Sequence, residues 1–485
     1  MISPGSKKMR HRVFIMRCDA YDPNRIAGIV REGMEELDVR PTGRILLKPN
    51  AVIAHPKWFP YAFTRKEFLD GVLTATKERA RDPEEIAVGE RSGIVIPTRF
   101  CFKNAGYPKV IRRHRVKTYY FDEYPQVPLS LEKAGALRKQ VFVPQPVSQC
   151  DFLINLPKFK AHPWSRLTLG LKNYIGIQDD RHRLVDHNCL LEQKIADLQE
   201  VIQPSFIAID GIIAGQKMML TPTPFPLGAI VMGTNSCAVD TVGCHMVHVD
   251  PQDLLHLRFA SQRGFGPMHL DDIEVTGDFP LEEVREKTEA FQFCMERIDD
   301  YFGEESNVTC TVGTFPEPHS RDYCWGGCPG ALQEAMHIYR AYLPDVDKQM
   351  KKVHFVVGKV AGRLHLDPDE KVIFAGDCTS WEGEIEDEHV KIESSYKTAG
   401  EVDERKTKSN DMLLKTFQAL YRAFRGRSSR YLHAKGCPLS VADNVHYLSA
   451  VGKIPNITFD PKLTIPLNIA YWRMRLHRFL HRIVG

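Results

Sequence analysis

Short apolar runs alternate with longer amphipathic stretches over the first 275 residues of the chain. Asp22 followed by Pro23 predicts the start of a helix, since aspartate caps helices and proline suits their first turn. Thr64 and Glu67 have the spacing of a capping box, which predicts a second helix start. Strands that alternate with helices predict an α/β fold with a mostly parallel, Rossmann-like sheet flanked by helices. The apolar runs of strand length are residues 13–16, 44–48, 86–89, 152–156, 206–209 and 227–232.

The regular alternation lapses near residue 276 and resumes after residue 310, which predicts a domain boundary. In the second half, residues 353–360, 371–374 and 431–433 have the pattern of strands, and residues 412–424 and 441–451 that of helices. A second, smaller α/β domain carrying clustered cysteines is therefore expected. The predicted organisation is an α/β domain with an anion-binding cleft at 1–280, a linker or boundary at 281–310, the cysteine-containing domain at 311–460, and a basic amphipathic helix at 461–485.

Charged side chains follow three successive strands of the first domain. Lys48 ends one strand and Glu90 ends the next. Ligands of open α/β sheets bind at the carboxyl ends of the strands, so these positions predict a cleft for a small anion. Glu90 would either pair with a cation there or act as a general base. The strand at 152–156 is followed by three basic residues at alternate positions, Lys158, Lys160 and His162.

A lysine–asparagine pair with glycines on both sides, within residues 170–176, follows ten residues after His162. Glycine allows a ligand to approach the backbone closely, which supports a binding site, and a solvated basic loop is the alternative. His162 is the best candidate for proton transfer because the ordinary pKa of histidine lies near neutrality. The predicted catalytic residues are His162, Lys172 and Glu90, and the predicted substrate-binding residues are Lys48, Asn50, Lys158, Lys160, Asn173 and Asp210.

The order of these motifs resembles the domain-of-unknown-function 362 family. The matching elements include Lys-x-Lys-x-His at 158–162, Gly-Leu-Lys-Asn-x-x-Gly at 170–176 and Ile-Asp-Gly at 209–211, and the resemblance spans residues 12–275. That family is associated with iron–sulfur proteins and has no single agreed reaction. The His…Gly-x-Lys…Gly arrangement is also faintly similar to the nickel-dependent lactate racemase group, whose cofactor is not carried over.

Composition narrows the class of protein. The 485 residues are 43% hydrophobic and 26% charged, as in ordinary globular proteins, and leave room for two or three domains. A net charge of +4 does not argue for a nucleic-acid partner, and no Gly-x-Gly-x-x-Gly fingerprint supports a dinucleotide. The N-terminus lacks the apolar core of a signal peptide, so a cytoplasmic location is expected. The 12 cysteines would then be thiols or metal ligands.

Four cysteines of the second half are flanked by glycine or proline, which keeps the backbone open around each thiol. Their spacing differs from that of zinc fingers, and convergent thiolates suit a [4Fe–4S] cluster, with zinc or unliganded thiols as alternatives. The Gly-Asp-Cys and Gly-Cys-Pro elements are locally similar to cluster-binding pieces of hydrogenase small subunits. The predicted metal ligands are Cys324, Cys328, Cys378 and Cys437.

The tail at 466–485 interleaves apolar residues with arginines. A helix of this kind either lies on an anionic membrane, here at its inner surface, or docks its apolar stripe on the protein or on a partner. For the whole chain we predict an iron–sulfur oxidoreductase acting on a small anion, with a redox partner. The alternatives are a non-enzymatic electron-transfer or cluster-carrying protein and an isomerase or lyase similar to lactate racemase.

Overall fold

The computed structural model describes residues 10–55, 58–94, 96–179, 183, 190–293, 297–316, 324, 326–396, 421 and 429–484. The helix predicted at 412–424 lies outside the described residues, apart from Tyr421. The described residues form one large sheet, one smaller sheet and a two-stranded ladder of Gln126–Ser130 with Gln140–Pro144. Helices pack on both faces of the large sheet and on one core of the smaller sheet. The α/β fold class, with a mostly parallel sheet and a second smaller sheet towards the C-terminus, is thus confirmed.

The strands are numbered in chain order, and the predicted ones are among them. Most carry apolar residues that are fully buried, as expected for sheets covered on both faces. They are β1 His11–Arg17, β2 Thr42–Pro49, β3 Arg81–Glu90, β4 Lys117–Tyr120, β5 Gln126–Ser130, β6 Gln140–Pro144, β7 Phe152–Leu156, β8 Lys158–His162, β9 Arg166–Thr168, β10 Phe206–Gln216, β11 Thr223–Phe225, β12 Ala229–Gly233, β13 Ile273–Thr276, β14 Val308–Val312, β15 Val353–Leu364, β16 Lys371–Ile385, β17 Glu388–Ile392 and β18 Tyr431–Ala434.

The helices of the described residues are also numbered in chain order. Short 3-10 turns at Phe121–Glu123 and Lys172–Ile177 matter below. The α-helices are α1 Pro23–Glu36, α2 Lys66–Arg79, α3 Thr98–Ala105, α4 Tyr107–His114, α5 Gln145–Ser148, α6 Leu191–Val201, α7 Ser236–Met246, α8 Leu255–Gln262, α9 Leu281–Lys287, α10 Ile298–Tyr301, α11 Cys328–Tyr342, α12 Val346–Gln349, α13 Val441–Gly452 and α14 Pro461–Val484.

The large sheet has the strand order β13-β1-β12-β10-β7-β2-β3-β4, with β8 and β11 paired to β10 and β9 paired to β8. Along this order β12 runs antiparallel to its two neighbours, and the remaining pairs are parallel. The strands β10, β7, β2 and β3 therefore end at a common edge. This edge carries Lys48, Glu90 and the start of β8, as expected from the order of strands along the chain.

Two apolar cores cover the two faces of the large sheet. One contains buried residues of α1 to α4, and the other contains buried residues of α6 to α8. The second of these cores also includes Val284 and Phe291, from the segment predicted as a boundary. Phe291 contacts Phe159 and Phe225 edge to face, with ring centroids 6.1 and 5.3 Å apart. This second core therefore extends beyond β13 to Phe291.

The smaller sheet has the strand order β14-β15-β16-β17, with β18 paired to β16. Every pair is parallel except β16 with β17. Helix α11 bridges the two sheets. Its residues Leu332 and Met336 belong to the core of the smaller sheet, while Ile338 and Ala341 pack on the core of the larger one. The two predicted domains therefore share a helix-mediated contact.

Local capping signals are confirmed in one case and wrong in another. The side chain of Asp22 accepts a hydrogen bond from the Asn24 amide at 2.9 Å and caps α1 as predicted. Thr64 does not cap α2, because its buried hydroxyl donates to the Leu156 carbonyl at 2.8 Å and accepts from the Asn50 amide. Among the described helices, none has the length and apolar character needed to cross a membrane.

Candidate functional site

Strand β8 presents its three basic residues on one face. Side chains alternate along a strand, so Lys158, Lys160 and His162 share a face while Phe159 and Ala161 point into the core. All three basic side chains are buried. A buried ammonium group requires partners, and these partners decide what each lysine can do.

Lys158 is neutralised inside the protein. Its ammonium lies 2.9 Å from Asp210 Oδ1, and both side chains are fully buried. Lys158 also donates to the Tyr21 hydroxyl at 2.7 Å, and Tyr21 in turn donates to Asp210 Oδ1 at 2.8 Å. The second oxygen of Asp210 accepts from the Arg65 amide just before α2. The three side chains thus tie β8, β10 and the chain before α1 together.

Lys48 is neutralised in the same way by Glu90. The Nζ–Oε2 distance is 2.6 Å and both groups are buried. Burial raises the pKa of Glu90 to about 6, against the opposing effect of Lys48. Gly176 packs on this pair so closely that a Cβ there would lie 2.3 Å from Glu90 Oε1. Of the two roles considered for Glu90, the structure shows the ion pair.

Three asparagine side chains connect the strand ends to the Lys-Asn motif. Asn50 donates to Asn173 Oδ1 at 3.0 Å, and Asn173 donates to Asn155 Oδ1 at 2.8 Å. Asn155 donates to the Gly170 carbonyl at 3.0 Å. Within the described part of the chain, Asn50 Oδ1 has no hydrogen-bond partner although it is buried. This amide chain holds the 170–176 segment against the sheet edge and leaves one buried acceptor available.

Lys160 binds backbone carbonyls of the first domain and lies within electrostatic reach of Glu334 in the second. Its ammonium donates to the carbonyls of Ala62 and Met219 at 2.7 and 3.0 Å. Burial, together with the positive charge of Lys172, lowers the pKa of Lys160 to about 7. Glu334 of α11 opposes this shift, and burial raises the pKa of Glu334 to about 7. One oxygen of Glu334 accepts from the Met219 amide at 2.7 Å, so this carboxyl group and Lys160 meet on the same loop.

Lys172 lies half-buried in the 3-10 turn of the Lys-Asn motif. Burial lowers its pKa to about 8, with Glu192 opposing the shift. No hydrogen bond from its ammonium is present among the residues that the structure describes. Asp240 fixes the chain just before it by accepting from the Gly170 and Leu171 amides at 2.7 and 3.0 Å. Lys160 and Lys172 are therefore the lysines of the site whose ammonium groups hydrogen-bond no carboxylate within the described ranges.

His162 is held by the turn that follows β8. Its Nδ1 accepts from the Trp164 and Ser165 amides at 3.1 and 3.3 Å. The neutral ring therefore carries its proton on Nε2. This orientation is set by the backbone, which is how a histidine is prepared for proton exchange through its other nitrogen.

Three of the predicted cysteine ligands lie near the fourth, Cys328. Burial raises the pKa of Cys328 well above its usual range, and the nearby thiols of Cys378, Cys437 and Cys324 raise it further. The Leu439 amide donates to Cys328 Sγ at 3.3 Å, and a Cβ on Gly376 would lie 2.9 Å from the same sulfur. No disulfide joins these four cysteines.

These thiols are neighbours without forming a preassembled metal site. Across the described ranges, no three side chains of His, Cys, Asp or Glu are grouped closely enough to hold a metal ion. The electrostatic effect of the neighbouring thiols on Cys328 acts over a longer distance than a metal–sulfur bond, so it is compatible with this spacing. Coordination would require the side chains to turn towards a common centre.

The cysteines lie beside the basic strand. Gly326, between Cys324 and Cys328, packs so tightly that a Cβ there would lie 2.2 Å from the Pro163 carbonyl oxygen. Pro163 follows His162 directly. Gly326 of the cysteine group thus packs against the residue that follows the Lys-x-Lys-x-His strand.

Comparison with known protein families gives a match that includes these residues of the first domain. Residues 45–245 match the DUF362 family, described as Domain of unknown function. The predicted resemblance is confirmed over this range, which contains all the basic, amide and carboxyl residues predicted for the site. The cysteine group lies outside the DUF362 match.

Similar proteins were also found by sequence and by structure. A thylakoid-associated protein from Synechocystis sp. is 23% identical over 299 residues, covering 56% of this chain and 84% of the relative. The lactate racemase apoprotein from Thermoanaerobacterium thermosaccharolyticum aligns with a TM-score of 0.32 and 9% identity, over 74% of this chain and 71% of that one. A Thermotoga maritima protein aligns with a TM-score of 0.30 and 11% identity, over 73% and 75% of the respective chains.

Three residues of the candidate site and its border were not predicted from the sequence. Tyr21 lies in a loop before α1, and nothing in its neighbourhood indicates a partner 137 positions away in Lys158. Asn155 sits inside the apolar run of β7, where a buried amide is itself a signal that was available. Glu334 belongs to a helix outside the DUF362 match, and no local pattern distinguishes it.

Proposed function

We propose that this protein is an iron–sulfur oxidoreductase that acts on a small anion bound beside β8. The observation that supports it best is the position of Cys328. It lies among three other thiols at the start of α11, and the loop before it packs on Pro163 next to His162. A redox group held by these cysteines would be adjacent to the basic strand.

The cysteine group has features that suit an iron–sulfur cluster. It supplies four sulfur donors, a backbone amide that donates to one sulfur, and a glycine that leaves space beside it. Cys324, Cys328, Cys378 and Cys437 would hold the cluster. A [4Fe–4S] cluster bound there would exchange single electrons with the substrate and with a redox partner protein.

The protein's own residues would bind the anion and move a proton. Lys48 and Lys158 are occupied by buried carboxylates, so we assign them to positioning the sheet edge. Lys160 and Lys172 would attract the anion, since both have pKa values lowered towards neutrality and a bound negative charge favours their protonated forms. His162 would exchange the proton through Nε2, because Nδ1 is occupied by backbone amides.

Metal analysis tests the cluster. Protein prepared anaerobically should contain iron and acid-labile sulfide, with the visible absorption and EPR spectra of a reduced cluster. Cys378→Ser and Cys437→Ser should lose most of the iron. Cys244→Ser is the matched control, since Cys244 is buried in α7 within the core of the large sheet and its replacement should retain iron. Zinc without sulfide, or equal iron in all variants, would contradict the proposal.

Anion binding tests the site itself. Phosphate or sulfate should raise the melting temperature in a concentration-dependent manner, because a ligand that binds only the folded state stabilises it by mass action. Lys172→Ala should remove most of this shift, whereas Lys109→Ala, at an exposed position on α4, should leave it intact. Equal weakening by both variants would indicate general electrostatics. A cluster without anion binding would favour a non-enzymatic electron-transfer protein instead.

A further inference from the structure

The C-terminal helix α14 exposes an apolar stripe. Seven of the ten large apolar side chains exposed in the described residues lie on it, with exposed fractions from 44% to 64%. Their spacing of three, four or one positions places them on one side of the helix. They are Ile465, Ile469, Trp472, Leu476, Phe479, Leu480 and Ile483.

The opposite side of α14 is already docked on the protein. Ala470 and Tyr471 are buried. Arg478 Nε donates to the Asp122 carbonyl at 3.0 Å, and the His481 ring lies 4.3 Å from the Tyr124 ring between centroids. The helix is therefore anchored beside the large sheet through this face, and its apolar stripe is left facing outward.

Cations border the stripe on both sides. With about 100° per residue, Arg473 lies about 100° from Trp472 on one side and Arg475 about 60° away on the other. Both arginines are exposed. The helix contains no acidic residue, and its cations are Lys462, Arg473, Arg475, Arg478 and Arg482.

This charge pattern selects among the surfaces that could cover the stripe. A second copy of the helix would bring arginines against arginines, without the acidic partners that helix pairs use at their flanks. An anionic lipid surface offers acyl chains for the stripe and negative headgroups for the arginines. Tryptophan is also favoured at the boundary between lipid and water.

We propose that α14 lies in the plane of an anionic lipid bilayer, with the stripe inserted between headgroups and the docked face holding the protein at the surface. The proposal is independent of the iron–sulfur assignment, because it uses no residue of the cleft or of the cysteine group. It concerns attachment to one leaflet and not a helix that crosses the membrane.

Vesicle flotation of the full-length protein tests this attachment. The protein should float with vesicles of phosphatidylcholine and phosphatidylglycerol, bind pure phosphatidylcholine more weakly, and be released as salt screens the arginines. On binding, Trp472 should shift its fluorescence to shorter wavelength, and Trp472→Phe should remove that shift. Leu476→Glu with Phe479→Glu should reduce partitioning at least about tenfold, since each lost apolar insertion weakens binding by about that factor.

Leu255→Glu provides the matched control. Leu255 is an exposed apolar residue on α8, distant in sequence from α14, and its replacement should leave flotation unchanged. Circular dichroism and the melting temperature establish that each variant is folded, since all the changed side chains are exposed. The proposal is overturned if the wild-type protein does not float, or if Leu255→Glu reduces binding equally. It is also overturned if the wild-type protein is a dimer that Leu476→Glu converts to a monomer without any vesicle binding.

Discussion

The buried pair of Lys158 and Asp210 allows a quantitative test of the site. Replacing Asp210 by Asn retains the size and an acceptor for the Arg65 amide but removes the charge that neutralises Lys158. Both side chains are fully buried, so solvent cannot compensate the lysine. The hydroxyl of Tyr21 would remain as a neutral partner of the ammonium.

The expected loss of stability is about 3–5 kcal/mol at pH 7, the usual effect of removing one member of a buried ion pair. An upper limit follows from proton release by Lys158. Releasing the lysine proton costs about 1.36 kcal/mol for each pH unit below the ordinary lysine pKa of 10.5, which is about 4.8 kcal/mol at pH 7. Burial already lowers the pKa of Lys158, so this route is open.

The same argument predicts how the loss depends on pH. In the variant the unfolded chain keeps the lysine proton up to its ordinary pKa, while the folded protein has released it. The unfolded state then binds more protons, so the stability of the variant rises with pH. At pH 9 the limit on the loss falls to about 2 kcal/mol.

Hydrogen-exchange mass spectrometry in increasing urea measures this loss. Peptides from β10 report the unfolding free energy of the large sheet separately from that of the small one. Glu78→Gln is the control, because it breaks the exposed pair of Arg31 and Glu78 and should cost less than about 1 kcal/mol. A loss below about 1 kcal/mol for Asp210→Asn at pH 7, or an equal loss at pH 7 and 9, would refute the argument.

Two further changes test close packing and burial. Gly176→Ala should destabilise the protein by about 1–3 kcal/mol in thermal unfolding, because the added Cβ would lie 2.3 Å from Glu90 Oε1. Gly28→Ala is the control, since a Cβ at this position on α1 meets open space and should be neutral or stabilising. Burial raises the pKa of Glu334, so the wild-type protein loses stability as pH rises from 4.5 to about 7, whereas Glu334→Gln does not. The stability of Glu334→Gln relative to the wild type should therefore increase over this range by up to about 3.4 kcal/mol. A difference that is constant across that range in urea unfolding would contradict the raised pKa.

Much of the fold could be predicted because its signals are local. Each apolar run has the length of one strand. The helix cap at Asp22 and the prolines that follow strands affect only residues a few positions away. The failure at Thr64 has a physical cause. Its capping pattern is local, but its hydroxyl is taken by the Leu156 carbonyl, 92 positions away, and that carbonyl is set by the sheet.

The candidate site could be predicted only in outline. The parallel order of the strands places Lys48, Glu90 and the β8 residues at one edge, which their positions after strands indicate. The partners of each lysine could not be predicted, because Glu90 and Asp210 each have several cations within reach in the sequence pattern. Pairing is decided by strand register, as Asp210 opposes Lys158 in the ladder of β10 and β8.

Helix α11 connects the cysteine group with the carboxyl group that lies near Lys160. It begins at Cys328 and carries Glu334 six residues later, which is about 9 Å along the axis at 1.5 Å per residue. The same helix packs on one core of the large sheet and on the core of the smaller sheet, so its position cannot shift without disturbing one of them. The distance between the cysteine group and the carboxyl beside Lys160 is therefore fixed by a rigid element. Any redox chemistry at the cysteines would take place near two buried groups, Lys160 and Glu334, whose charges change near neutral pH.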